Sequence, residues 1–451
     1  MPIPLTIHPS LAQEQQQHLA PLMQGWDGQF ENFISMPSSL AQHVGALLMN
    51  MLIPGLDEGV KSLLAAQKEA QAQETTVQLS LVSEAAEVQA LPWELLFHPE
   101  LKFLTTHPDF TFLRRFARPD DEVRVPAPLP LRVLLCIASP EDLDPERSRL
   151  DFENEENFLF EQIADAYGRG VIDIDVAEDG TLKTLEQRLM SQHYHILHLS
   201  MHGRMTEAGP VLAFEDDATG RTRLVEPETL LSLWKKGASR VPCIVLSACQ
   251  TAQADTERAI PSFTQVLIQQ GVPHVIGMRR SVADTAATYF AGYFYRAVAE
   301  GLPIDRAVVE ARRAVQQQGL GMQWTVPALF SRKASLACAD ATQPFTPVRG
   351  YLPKMLQIGD VSFQQEGFIG RRATIRRHYR KWADGQTPHL LFHGTGGVGK
   401  TTIAGHFAFR YLREHKNARI FALAPPFEAD RMEALLDDAF NSMIKFFLLA
   451  I

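Results

Sequence analysis

Between Leu131 and Phe330, short aliphatic and β-branched runs alternate with segments whose apolar residues recur at helical spacing. That alternation predicts an α/β fold with a mainly parallel sheet, because each helix carries the chain back across the sheet before the next strand begins. Leu131–Ala138 reads as a first buried strand, followed by a helix at Asn157–Tyr167 that presents Phe158, Leu159, Ile163 and Tyr167 on one side. A strand at Val171–Val176, a helix at Thr181–Met190 and a strand at Tyr194–Leu199 come next. Val211–Glu215 and Arg221–Val225 flank the turn-rich Asp216–Gly220, which predicts a hairpin inserted after the third strand. Pro242–Ser247 reads as a fourth strand, Ser262–Gln270 as a helix and His274–Met278 as a fifth strand. Helices at Ala283–Glu300 and Ile304–Gln317 complete the unit.

The chain has 451 residues, more than one ordinary domain needs. Its 45% apolar and 21% charged residues are those of a folded, soluble chain. A net charge of −9 argues against nucleic-acid or membrane-surface binding, since neither polyanion attracts an acidic chain. The arginine pairs Arg114-Arg115 and Arg279-Arg280 read as solvated faces or local ion pairs. The four cysteines lack CxxC spacing, so neither a zinc ribbon nor a disulfide framework is expected. With no signal-peptide pattern and no apolar run of about 18 residues, a cytoplasmic protein is expected. Residues 1–130 carry a helical pattern at Leu63–Ala72 and an alternating one at Thr75–Val82, and are assigned to the same unit as the sheet. The expected division is 1–338 for this unit, 339–366 for a proline-bearing linker and 367–451 for a second module.

In an open parallel sheet, reactive groups collect where strands end at their carboxyl edge. His202 follows the third strand and Cys249 the fourth. Taken singly, each reads as a core residue; together, at neighbouring strand ends, they form a candidate base and nucleophile, since an imidazole beside a thiol promotes the attacking thiolate. Gly203, without a Cβ, lets its backbone N–H approach a substrate and stabilise an oxyanion together with the N–H of Cys249. His193, His195 and His198 invite a metal reading, but only His193 and His195 share a strand face and no carboxylate completes a set.

The strings His198-Leu-Ser-Met-His202-Gly203 and Val245-Leu-Ser-Ala-Cys249-Gln-Thr-Ala resemble the two signature motifs of CHAT domains, which are caspase- and separase-related peptidases. Leu91-Pro-Trp-Glu-Leu-Leu96, Gly271-Val-Pro, Gly277-Met, the helix with Phe294-Tyr295-Arg296, that with Ala311-Arg312-Arg313, and Trp324 to Pro327 resemble further landmarks in the family's order. The resemblance spans roughly residues 10–335. It implies a caspase-like three-layer fold and a cysteine endopeptidase acting on a protein substrate, with Cys249 as nucleophile, His202 as base and Gly203 in the oxyanion site. Ser247 stands where caspases carry a glutamine of the primary specificity pocket, so the resemblance does not extend to a preference for aspartate. Asp255 is either a specificity residue for a basic side chain or an exposed loop carboxylate.

Leu390-Leu-Phe-His-Gly394-Thr-Gly396-Gly397-Val-Gly399-Lys400-Thr401-Thr402 fits GxxxxGK[ST] between an expected strand and a helix at Ile403–Leu412. In such a loop backbone N–H groups face phosphate, Lys400 reaches the β and γ phosphates and Thr401 ligates Mg²⁺. Phe368-Ile-Gly-Arg371-Arg372 resembles the entry motif of STAND-class signalling NTPases, which include NB-ARC and NACHT modules. That resemblance implies ATP or ADP with Mg²⁺, a nucleotide contact from Arg371 and assembly of copies through the NTPase module. Hydrolysis needs a second acidic motif at another strand end. Leu435-Leu436-Asp437-Asp438 falls in a helical pattern over Met432–Ile444, so an incomplete P-loop NTPase α/β unit is expected, its one further strand at Arg419–Leu423. Such a unit leaves apolar surface uncovered and is expected to yield to limited proteolysis before the first unit does.

The combined reading is a regulated endopeptidase, with a role in bacterial defence or programmed cell death implied by resemblance alone. The alternative is a signalling ATPase whose CHAT-like domain is a non-catalytic scaffold. A nucleotide-dependent transcription regulator would need a basic helix-turn-helix, and none is visible.

Overall fold

The computed structural model describes residues 3–7, 37–52, 56–83, 85, 88–89, 91–116, 127–143, 152–177, 179–238, 240–248, 262–279, 284–332, 337–340 and 343–347. Toward the C-terminus it describes 355–358, 361–364, 378–379, 381–382, 393, 399–405, 407, 419–423 and 446–450. Two compact units divide the chain, Met1–Val348 and Arg349–Ile451.

The first unit opens with β1 (Ile3–Ile7), α1 (Ser38–Leu52), α2 (Leu56–Ala72) and β2 (Val77–Val82). A 3-10 turn at Trp93–Leu95 leads to the short pair β3 (Phe97–His98) and β4 (Lys102–Phe103), then β5 (Phe110–Arg115). The alternating region follows as β6 (Leu131–Ile137), α3 (Phe152–Gly168), β7 (Ile172–Val176), α4 (Leu182–Ser191) and β8 (Ile196–Ser200). β9 (Gly203–Thr206), β10 (Gly209–Glu215) and β11 (Thr222–Val225) form an antiparallel insertion. After it come α5 (Pro227–Lys236), β12 (Cys243–Ser247), α6 (Phe263–Gln269), β13 (His274–Met278), α7 (Asp284–Ala299), α8 (Ile304–Gln317) and β14 (Pro327–Ser331).

Among the described residues, nine strands make one sheet in the order β1-β2-β5-β14-β13-β12-β8-β6-β7. Its described pairings are parallel except β13 with β14, so β13, β12, β8, β6 and β7 run one way and β14, β5, β2 and β1 the other. The expected mainly parallel α/β sheet is present; the antiparallel joint and β9 are additions to the sequence reading. Which strands pair, and in which direction, is set by contacts remote in sequence, which local periodicity does not report.

Period-2 burial sets the layers. Leu131, Val133, Leu135 and Ile137 join a core with α1, α2, α3, α7 and α8, whereas Leu134 and Cys136 join one with α4, α5 and α6. Covering both faces is what allows continuous apolar strands. The N-terminal strands are tied in by polar bonds as well: Asp305 Oδ2 on α8 accepts from Gln78 Nε2 of β2 at 2.9 Å and Thr111 Oγ1 of β5 at 2.8 Å. In α1, a Cβ added to Gly45 would stand 2.0 Å from the carbonyl oxygen of Leu95, so only glycine lets the helix approach the turn at Trp93–Leu95.

Arg114 and Arg279 are not on solvated faces. Both are buried and paired with Glu94, the charged residue of that turn, which replaces the solvated alternative with buried ion pairs.

In the second unit, β15 (Met355–Ile358) pairs antiparallel with β16 (Val361–Gln364), within the stretch expected as a linker. β17 (Arg419–Leu423), a strand at the expected position, pairs parallel with β18 (Phe446–Ala450). Tyr379 is buried with its ring edge-on to Phe407, 5.5 Å between centroids, beside a helical run at 400–405. The expected helix at Met432–Ile444 lies outside the described residues.

Candidate active site at the carboxyl edge of the sheet

β8 and β12 are adjacent and parallel, and the last pair of their ladder is Ser200 with Ser247. His202 stands two residues beyond Ser200, as Cys249 in the sequence stands two beyond Ser247. The N–H of Met201 donates to the Ser247 carbonyl at 3.3 Å, so the two strands stay bonded one residue past Ser200, and Ala248 is buried. Cys249 itself and Asp255 lie outside the described residues.

The insertion fixes His202 from the other side. Its carbonyl accepts from the N–H of Ala213 on β10 at 2.8 Å, and Gly203 faces Leu212 across the β9–β10 ladder. In antiparallel alternation this makes Gly203–Leu212 a non-hydrogen-bonded pair, whose N–H is directed away from β10. His202 and Gly203 are half-buried.

Two residues back along β8 from Ser200, the buried His198 reaches diagonally across to the buried Ser247 of β12, with His198 Nε2 and Ser247 Oγ 2.8 Å apart. Burial pushes the imidazole down to about 3 from its ordinary value, so it is neutral across the physiological range. The Ser247 hydroxyl is thus engaged inward, beneath the edge. His195 is a separate element: its Nδ1 accepts from the N–H of Arg132 at 3.0 Å, and burial holds its pKa below the ordinary histidine value. Among the described residues, no group of three or more His, Cys, Asp or Glu side chains is placed to hold a metal ion.

On the far side of β12 lies β13, and the last pair of that ladder is Leu246 with Gly277. Two residues beyond are Ala248 on one chain and Arg279 on the other. The sequence reading did not place Arg279 or its partner Glu94 near this edge. A signal was available: Glu94 is a lone carboxylate in the apolar run Leu91–Leu96, and a charge in such a run needs a buried partner.

Of the phosphate-loop residues, Gly394, Gly396, Gly397 and Arg371 lie outside the described residues. Gly399 has φ +84°, a conformation suited to glycine, and its carbonyl accepts from the N–H of Ile403 at 3.0 Å. Lys400, Thr401 and Thr402 form the first turn of the helix and are half-buried.

A mainly parallel α/β sheet with His202 at the carboxyl edge is the architecture that the motifs lead one to expect. The chain belongs to the CHAT domain family, whose profile matches residues 42–383. None of the curated proteins compared matches it. Among solved structures, it is similar to two of the Saccharomyces cerevisiae separase-securin complex. The first is 14% identical, covers 66% of this chain and 20% of that one, and has a TM-score of 0.37. The second is 17% identical over 63% and 18%, with a TM-score of 0.36. Caspase-1 from Spodoptera frugiperda is 12% identical over 51% of this chain and 100% of that one, with a TM-score of 0.32. The chain thus spans about a fifth of the length of the separase chains it matches. Among the described residues, no helix is long and apolar enough to cross a membrane.

Proposed function

We propose that the first unit is a cysteine endopeptidase in which Cys249 is the nucleophile and His202 the base. The observation that carries this reading is the Ser200–Ser247 pairing, because equal two-residue steps from a parallel pair give the two side chains a common edge. Covalent reach supports it, since two peptide units extend the chain by at most about 7 Å. In the reaction, His202 takes the proton of the Cys249 thiol and the thiolate attacks the scissile carbonyl carbon of a protein substrate. The N–H of Gly203, directed away from β10, and the N–H of Cys249 stabilise the oxyanion. His202 then gives the proton to the leaving amine, and water hydrolyses the thioester.

Alkylation of Cys249 by iodoacetamide at pH 7 tests the pair. Replacing His202 with Ala should slow alkylation about tenfold or more, since only the thiolate reacts. Equal rates in the folded variant would separate the two residues and favour the scaffold alternative.

A second reading concerns the second unit as a nucleotide-binding module of the STAND class. It is supported by Gly399 at positive φ immediately before a helix that opens on Lys400 and Thr401. These residues fit a nucleotide phosphate with Mg²⁺, with Lys400 as its cation and Thr401 as a metal ligand; bound nucleotide would supply a state-dependent charge at this helix terminus. Control of the peptidase by that module, assembly of copies through it and a role in defence belong to this proposal. Lys400→Ala should abolish ATP and ADP retention during gel filtration, and unchanged retention would remove the assignment.

A further inference from the structure

Glu94 is fully buried and surrounded by three guanidinium groups. Arg114 grips it with two bonds, Nε to Oε1 at 3.1 Å and Nη2 to Oε2 at 2.7 Å. Arg279 Nη1 donates to Oε2 at 3.2 Å, and Arg312 Nη2 stands 4.0 Å from Oε1. Burial would push the Glu94 carboxyl up, but the three guanidiniums outweigh it and hold the pKa below the usual carboxylate range. Burial lowers Arg312 to about 10, still protonated at neutral pH. Among the described residues the cluster brings one carboxylate together with three guanidiniums, and backbone carbonyls of Gln89, Leu91 and Pro327 take further guanidinium donors. Arg312 Nε and Nη1 are buried without a hydrogen-bond partner. Buried charge is an expensive way to hold a fold together, since apolar residues of the same volume often serve as well.

What the cluster does hold is the exit of β13. Arg279 is the first residue after that strand and is level with Ala248 in the β12–β13 register. Its backbone N–H donates to the Val326 carbonyl at 3.0 Å, just before β14, and its side chain reaches Glu94 in the N-terminal turn. The end of β12 is thus flanked by β8, leading to His202, and by β13, whose exit is clamped.

We propose that Glu94 is a positioning residue: through Arg279 it fixes the exit of β13 and thereby the end of β12 that carries the nucleophile. This rests on the peptidase reading above for its catalytic consequence, but not for its structural one. Loss of Glu94 releases the exit of β13, also deprives Arg114 on β5 and Arg312 on α8 of their carboxylate, and leaves β6 and β7, which do not touch the cluster, intact.

The test uses the full chain with Glu94→Gln and Arg279→Met, the second breaking the link while leaving Glu94 with Arg114 and Arg312. Hydrogen exchange read by mass spectrometry should accelerate about tenfold or more at the ends of β12 and β13, with β6 and β7 unchanged. Cleavage of a peptide library should lose about tenfold or more in kcat with KM within about twofold, the mark of misplacement and not of lost binding. Arg279→Lys should recover part of that loss.

Exchange that rises evenly over the whole sheet, or does not rise, overturns the proposal, as does local acceleration with an unchanged kcat. If Glu94→Gln fails to fold, Arg279→Met decides by the same criteria. If the unsubstituted chain cleaves nothing, the peptidase reading falls, and the exchange pattern alone decides whether Glu94 holds the strand exit.

Discussion

Ser247 and His198 illustrate how single residues beneath a reactive edge are constrained. The pair is buried, and its hydrogen bond at 2.8 Å satisfies a ring nitrogen that water cannot reach. Ser247→Ala should therefore destabilise the fold by about 1–3 kcal/mol in urea titration, the cost of an unsatisfied buried polar group. His198 also makes stability depend on pH. Its folded pKa, about 3, lies below the unfolded value near 6.5, so its contribution is full above about 6.5 and is lost as pH falls toward 3. Between pH 6 and pH 4 the protein should lose stability faster than His198→Gln, the difference approaching about 1.4 kcal/mol per pH unit. Parallel slopes in urea titrations of the two proteins would contradict a neutral, buried imidazole.

At the scale of elements, strand and helix boundaries were readable where burial is periodic and terminal residues are informative. Thr181 caps α4 through its side chain, accepting from the N–H of Thr184, and Ser262 with Gln265 forms a reciprocal capping box on α6. Ser262→Ala should cost about 1 kcal/mol in thermal or urea unfolding. The sheet's antiparallel joint was not readable, because Pro327–Ser331 is buried throughout and carries no alternation to reveal its direction or partner. Glu94 was likewise legible only as an anomaly, since its partners Arg114, Arg279 and Arg312 are far apart in sequence and meet only once the sheet forms. The placement of His202 and Gly203 just past β8 was legible because it depends on a local strand end, which sequence does encode. Gly45→Ala belongs to this scale too. Its Cβ would meet Leu95 and Phe97 at 2.0 and 2.7 Å, forcing α1 away and lowering stability by about 1–3 kcal/mol.

Across the first unit, the N-terminal third is part of the sheet that carries the candidate site. β5 pairs with β14, Asp305 joins α8 to β2 and β5, and Glu94 reaches the exit of β13. A chain beginning at residue 127 should consequently fail to give a cooperative unfolding transition by circular dichroism, having lost β1, β2 and β5 and exposed β14. Farther along that sheet, Ser200 pairs with Ser247, two residues before His202 and, in the sequence, two before the proposed nucleophile Cys249. The most direct test of the central claim is N-terminal proteomics of cells expressing the full chain, Cys249→Ala or His202→Ala. The account predicts new protein N-termini with the unsubstituted chain that disappear in both variants; the same N-termini in Cys249→Ala would contradict it.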